Sequence, residues 1–320
     1  MFDIWVPKKE IIHRAMANTE IRVEGLWRAV LLDELDNIKL DTGWHKNQIT
    51  DIGLVQMGAT STDNWRNYCH VGSGTSTPDP TDTALDTFMG SSNSRSGGAF
   101  TRQTADPWGI FEQQVYRFNA GNATGTIREA GISWNTVTGS LFSRFLVTPA
   151  IVKNADQVLD IYWEFRMYRQ GSDIINTNVD IPEDGISVLY NTITRGSNYN
   201  SINPGTAFRQ FGAYQGSWNF AFSGPIGSIT GSPSGTSDSS YGLSYPGSVV
   251  PITDGAYRDV TWSAPLTEAN VGGIRCTRHR HDHNYDVQIQ YTDVATGTRL
   301  IPKDNTNILD LSLRTTWKRA

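Results

Sequence analysis

The chain has 320 residues, 38% of them apolar and 11% aromatic, with only 18% charged, 30 Gly, 13 Pro and a formal net charge of −5. That apolar content excludes a disordered chain, and the acidic balance excludes the clustered Lys and Arg through which proteins hold nucleic acid or an anionic membrane. Cys69 and Cys276 are the only cysteines, which excludes a disulfide framework. No apolar run nears the roughly 20 residues of a membrane span, and MFDIWVPKKEIIHRAM lacks the order of a signal peptide, so folding in a cytoplasm is expected.

In chain order, residues 1–40 read as an N-terminal arm. Pro7 to Met16 fits a short amphipathic helix, and Ile4, Trp5, Ile11 and Ile12 are candidates for contact with neighbouring chains. Deleting such an arm is expected to spare folding and to impair assembly. Ile21, Val23, Trp27, Ala29 and Leu31 then share one face, and Asp36-Asn37 supplies a turn. Thr50 or Asp51 caps a second short helix through Ile52, Leu54, Val55 and Met57. In LDIYWEFRMYR, Leu159, Ile161, Trp163, Phe165 and Met167 alternate with polar or amphipathic residues, which predicts a strand with one buried face. The polar run RQGSDIINTNVDIPEDG marks a boundary near residue 170, and Gly224 to Ser248 reads as a long exposed loop or a series of short meanders. YDVQIQYTDV, with Tyr285, Val287, Ile289 and Tyr291 on one side, and ILDLSLRTTW, with Leu309, Leu311, Leu313 and Trp317, close the chain as strands. The expected fold is all-β: two sandwich-like domains, 41–170 and 171–320, preceded by the arm 1–40, with few short helices.

VGSGTSTPDPTDTAL, Val71 to Leu85, invites a phosphate-binding reading. A cradle of that kind needs a Lys after the glycines and a helix behind them. Here no Lys or Arg lies in the run, and Pro78 and Pro80 forbid a regular helix. The run reads instead as loop scaffold within one domain.

Four segments together carry a resemblance: NQITDIGL, VGSGTSTPDPTDTAL, RFNAGNATGTIREAGISW and LFSRFLVTPAIVKNADQVLDIYWEFRMY. In that order and spacing, over residues 47–168, the chain resembles tail and tail-fibre-like structural proteins of tailed bacteriophages. The resemblance implies a structural component of a virion, in the tail, a tail fibre or an appendage. It implies assembly with other copies of the chain, as a trimer or hexamer, and with other virion proteins. A receptor-binding module for a host-surface glycan is the alternative, and a glycan-degrading enzyme a more distant one. The C-terminal half carries no comparable match.

Individual residues complete the expectations. Gly121, Gly125 and Gly131 suit positive-φ turns or close backbone approach. Arg128 and Glu129 are adjacent, hence on opposite sides of a strand; either could pair across strands or across a subunit boundary, and solvated surface charge is the favoured reading. Arg144, amid apolar neighbours, reads as a stem lying on hydrophobic surface or as an interface anchor. In RCTRHRHDHNYD, His279, His281 and His283 fall on one face if the segment is a strand; a metal site there, with Cys276 or Asp282 as further donors, competes with a solvated or interface cluster. Asp173, Asp180, Glu183, Asp184 and Asp254 are carboxylates in turn-forming surroundings. The aromatic loops FGAYQGSWNFAF and SSYGLSYPG suit a sugar platform or a sandwich core equally. Signatures of zinc proteases, thiol redox proteins, α/β-hydrolases and dinucleotide-binding folds are all missing. The chain is expected not to be an enzyme, with no catalytic, cofactor-binding or metal residue assigned and no cofactor.

Overall fold

A computed structural model describes residues 11–59, 63–96, 98–103, 109–136, 139–169, 174–183, 186–197, 219–227, 233–239, 243–264, 269–271, 273–281, 285–293, 301 and 307–320. The protein is all-β. Among these residues, apart from the α-helix Asp51–Ala59 and one 3-10 turn, Asp63–Arg66, the regular structure is strand.

The strands of the described residues form three sheets. The largest has 11 strands, and its central path runs Leu243–Pro246, Gly255–Ala264, Asn307–Arg319, Ile11–Leu32, Val158–Arg169, Gly109–Phe118 and Arg95–Ser96. A five-stranded sheet follows the order Gln48–Ile49, Leu141–Lys153, Gly125–Ser133, Tyr68–Gly72, Phe88–Ser92. The third, six-stranded sheet comprises Ile174–Glu183, Ile186–Ser197, Tyr285–Asp293, Cys276–His281, Asn219–Phe222 and Ser237–Ser239.

Alternation accounts for the seam between the first two sheets. Leu159, Ile161, Trp163, Phe165 and Met167 are all buried, as are Ile21, Val23, Trp27, Ala29 and Leu31 on the neighbouring strand, so both strands turn one face to the smaller sheet. Phe142 meets the rings of Trp65, Trp163 and Phe165, and Phe145 stacks on Trp27 at 4.5 Å. Edge-on and offset rings at such distances add to the area they bury. The pairing is that of a sandwich: two sheets face to face over interleaved aromatic side chains.

The arm expectation is corrected from Ile11 onward. Ile11–Leu32 is a strand, not a helix or an arm: it pairs in parallel with Asn307–Arg319 on one side and antiparallel with Val158–Arg169 on the other. Ile11 to Met16, within the expected helix, find their backbone partners in Asn307 to Ser312 at the far end of the chain, pairing that no local period reveals. Ile4 and Trp5 lie outside the described residues. The third sheet falls wholly beyond residue 170, whereas Leu243–Pro246, Gly255–Ala264 and Asn307–Arg319 return across that point into the first sheet. Trp317 locks this return, packing against Gly58 and donating from its indole N–H to the Leu54 carbonyl at 2.8 Å.

Shorter expectations resolve in the same way. Asp36 has positive φ in the turn after Ile11–Leu32, and Thr50 caps the helix, its Oγ1 accepting the Gly53 N–H at 2.9 Å. Gly121 and Gly125 have positive φ. The run from Gly224 to Ser248 contributes two short strands, Ser237–Ser239 and Leu243–Pro246. Among the described residues no helix is long and apolar enough to cross a membrane.

Candidate functional site

Glu129 lies in Gly125–Ser133, an interior strand of the five-stranded sheet, opposite Gly72 on one side and Leu146 on the other. Its side chain is fully buried, which corrects the surface-charge reading; Arg128, next to it, is exposed as expected. An ionised carboxylate is excluded from water only where donors surround it. Here they come from the Gly/Ser/Thr-rich loop: the N–H groups of Gly74 and Thr87 donate to Oε1 at 2.9 and 2.8 Å, and that of Asp86 to Oε2 at 3.1 Å. The approach is close enough that a Cβ at Gly72 or Gly74 would collide with the Glu129 carboxylate, so both positions demand glycine.

Arg144 supplies the countercharge. It lies one strand over, opposite Gly131, and is fully buried, so it is neither a stem on an apolar surface nor exposed to a partner. Its Nε and Nη2 donate to Glu129 Oε2 at 3.1 and 2.8 Å, Nη1 donates to Asp82 Oδ2 at 2.8 Å, and Nη2 also reaches Asp86 Oδ2 at 2.8 Å and Ser76 Oγ at 2.9 Å. Burial opposes the charged guanidinium, but the hydrogen bonds it donates to Asp82 and Glu129 outweigh it and raise its pKa. Ser76 holds the Asp86 carboxyl below its ordinary value, with Arg144 adding to the effect. One guanidinium and one carboxylate thus fasten both limbs of the loop to the sheet, in a clasp built from charge-assisted bonds.

The other resemblance segments are bonded to one another as well. Thr50 Oγ1 donates to the Leu141 carbonyl at 2.6 Å, its N–H to the Phe142 carbonyl at 2.9 Å, and the Asp51 N–H to the Pro80 carbonyl at 2.7 Å. Arg117 grips Asp160 through Nε and Nη2 at 2.8 and 2.6 Å, and buried Lys153 donates to the Asn119 carbonyl at 3.1 Å. A second buried ion pair joins Arg66 to Glu112, and Tyr116 donates its hydroxyl to the Arg66 carbonyl. The loop from Val71 to Leu85 is therefore scaffold. It carries acidic side chains toward an arginine and presents nothing that would attract phosphate.

The sequence did not disclose Ser76, Asp82 and Asp86 as partners of Arg144. The acidic residues of the loop were the available signal, but the cation they serve comes from a strand far along the chain. Elsewhere, Cys276–His281 is a strand, as the alternating histidines suggest, yet the side chains of His279 and His281, and all of His283, lie outside what is described. Asp173 and Asp184 lie outside it too; Asp180 and Glu183 are backbone positions on Ile174–Glu183. Asp254 has positive φ in a hairpin turn and accepts from Arg319 at 3.1 Å, the turn role expected of it. Of the aromatic loop FGAYQGSWNFAF only Asn219–Phe222 is described, with Phe222 buried; SSYGLSYPG is described as backbone from Leu243. Both cysteines are buried free thiols whose pKa burial pushes well up, which makes them unreactive.

Comparison with family models, with curated proteins and with solved structures returns no match for this chain.

Proposed function

We propose that this chain is a structural component of a bacteriophage virion, in the tail, a tail fibre or an appendage, where it assembles with itself and with other virion proteins. One observation carries the reading. The four segments that resemble phage tail proteins are bonded to one another in space, and their distinctive residues, Thr50, Gly72, Gly74, Glu129 and Arg144, are consumed in holding the sandwich together. Side chains saturated by scaffold bonds do architecture, not turnover, and a rigid all-β body suits a part whose task is to present surfaces to other copies. We accordingly read the chain as a non-enzyme located in the virion.

The test is to tag the chain and image the purified protein and the particles by negative stain. A rotationally symmetric oligomer, trimeric or hexameric, and label on the tail or its appendages are expected. A chain that stays monomeric when concentrated and is missing from particles would overturn the assignment.

A further inference from the structure

The loop that closes over Glu129 also closes over a histidine. His70, on the interior strand Tyr68–Gly72, pairs with Gly131, and Gly131 pairs with Arg144 on the next strand, so the three form one row on the face that the loop covers. Leu85 occupies the middle of that row: a Cβ at Gly131 would stand 3.4 Å from its Cδ2. Thr83, Ala84 and Leu85 border the same small cavity as His70, together with Thr136, Ser140 and Leu141, and Phe88 lies edge-on to the imidazole at 5.3 Å. The span is anchored on either side, Asp82 and Asp86 each reaching Arg144 at 2.8 Å, and the Thr83 carbonyl accepts the Gly139 N–H at 3.1 Å.

Covered in this way, His70 is 5% exposed, and its Nε2 is closed to water and has no hydrogen-bond partner. A neutral ring tolerates that closure far better than a charged one. An imidazolium carries N–H on both nitrogens, so whichever of them holds the first proton, the charged ring has a buried N–H at Nε2 with nothing to accept it. The nearby carboxylates are already engaged: Glu129, Asp82 and Asp86 all bond Arg144, and Asp79 accepts from Thr81. On the strand itself Tyr68 shares the covered face and Cys69 belongs to the core, while strand Phe88–Ser92 and the 134–140 turn bring no titratable side chain. Burial accordingly lowers the His70 pKa, with the Asn135 backbone acting in the opposite direction.

We infer that the span from Thr83 to Leu85 is an acid-operated lid, which lifts when His70 takes up a proton and closes when the proton leaves. His70, Phe88 and Leu141 lie on paired strands, whereas Thr83 to Leu85 carry no strand pairing, so lifting this span admits water to the ring at the least cost. Closure is favoured above about pH 6.5, where a free imidazole is neutral, and loses ground as the pH falls below that value, because the covered ring resists the proton that the uncovered ring accepts. Asp86, held below its ordinary value, stays ionised in that window and keeps its end of the span on Arg144. The movement is therefore a local opening and not release of the whole loop. It uncovers apolar surface on Leu85 and Leu141 beside Phe88, which is already half exposed. The lid stands independently of any role in a virion.

Hydrogen exchange of the full chain at about pH 7.5 and about pH 5, corrected for the intrinsic effect of pH, tests this alongside NMR titration of the His70 ring protons. Exchange of the amides from Thr83 to Phe88 is expected to rise at the lower pH, by up to about 30-fold for a lifted ring that titrates near 6.5. Strands Leu141–Lys153 and Val158–Arg169 should keep their protection, and a return to the higher pH should reverse the rise. The ring itself should titrate below about 6.5. His70→Gln should remove the rise, and Leu85→Ala, which thins the lid, should bring the midpoint of the ring up toward that of a free imidazole. A rise that survives in His70→Gln, a wild-type midpoint that is not lowered, a midpoint that Leu85→Ala leaves in place, or protection lost across both strands would each overturn the lid. If His70→Gln does not fold, the midpoints of the wild type and of Leu85→Ala decide.

Discussion

Between the 11-stranded and the five-stranded sheets the interior is aromatic: Trp27, Trp65, Trp163, Phe142, Phe145 and Phe165 fill it with rings at 4.3 to 5.9 Å centroid separation. Beneath the 72–87 loop it is ionic, with Arg144 and Glu129 as fully buried as any of those rings. The two regions are held by opposite physics. Apolar burial is non-directional and scales with area, so the seam tolerates a change of shape at a graded cost. A buried ion pair is directional and saturated, and removing one partner strands the other in a place where water cannot replace it. The seam supplies the bulk of stability; the clasp specifies where one loop lies.

The largest break separates seam from chain end. A truncation beginning at Asp33 deletes a strand hydrogen-bonded on both sides and is expected not to fold, as read by loss of the far-ultraviolet strand signal. Next come two substitutions that set the regions against each other. Trp163→Ala opens a cavity among rings and should cost about 3–5 kcal/mol in chemical denaturation. Arg144→Ala leaves buried Glu129 beside its three N–H donors without the cation that pairs with it and should cost a similar 3–5 kcal/mol or so. They diverge in native-state proteolysis: Arg144→Ala should open cleavage within 72–87 at denaturant concentrations where Trp163→Ala remains uncut there. Identical cleavage maps would mean that the clasp is part of the seam and not a separate device.

How far each region was legible follows from the same physics. The seam was written locally: a period of two placed Leu159 to Met167 and Ile21 to Leu31 inward, and both sets are buried. Trp65 was missed because it sits in the 3-10 turn Asp63–Arg66, where no strand period applies. For the clasp, adjacency correctly sent Arg128 and Glu129 to opposite sides, but which side faced water depended on N–H groups from Gly74, Asp86 and Thr87, supplied by a distant loop. Alternation assigns faces; it does not say what covers them. The parallel pairing of Ile11–Leu32 with Asn307–Arg319 was invisible for the same reason.

A smaller effect is expected where the two regions meet. Thr50 caps the helix Asp51–Ala59 through Gly53 and reaches the Leu141 carbonyl, linking the helix to the strand that carries both Phe142 and Arg144. Thr50→Ala should cost about 1 kcal/mol through the lost cap, and somewhat more because the Leu141 carbonyl loses its donor. Thr50→Ser retains both bonds and should restore most of that stability. If the serine variant is as unstable as the alanine one, the methyl group and not the hydroxyl is what matters at this position, and the helix belongs to the aromatic seam alone.

The smallest effect is a titration at the rim of the first sheet, and it tests whether ion pairs outside the clasp matter at all. Asp41 accepts from Arg28 Nε and Nη2 at 2.8 and 2.5 Å and from the Gly43 N–H at 3.0 Å, and its pKa is lowered to about 2, chiefly by Arg28. An unfolded aspartate titrates near 3.9. A folded pKa below the unfolded one means that the contribution is complete above about pH 4 and is lost as pH falls through about 2. Thermal melts of the wild type should therefore decline more steeply over that window than melts of Asp41→Asn, which has nothing to titrate there. Added salt should shrink the difference, because the pair is about a third exposed and solvent screens it. Salt should leave the Arg144→Ala penalty nearly unchanged, since counter-ions do not reach a guanidinium with no exposed surface. That pair of responses separates an ion pair that decorates a sheet from one that fixes a loop.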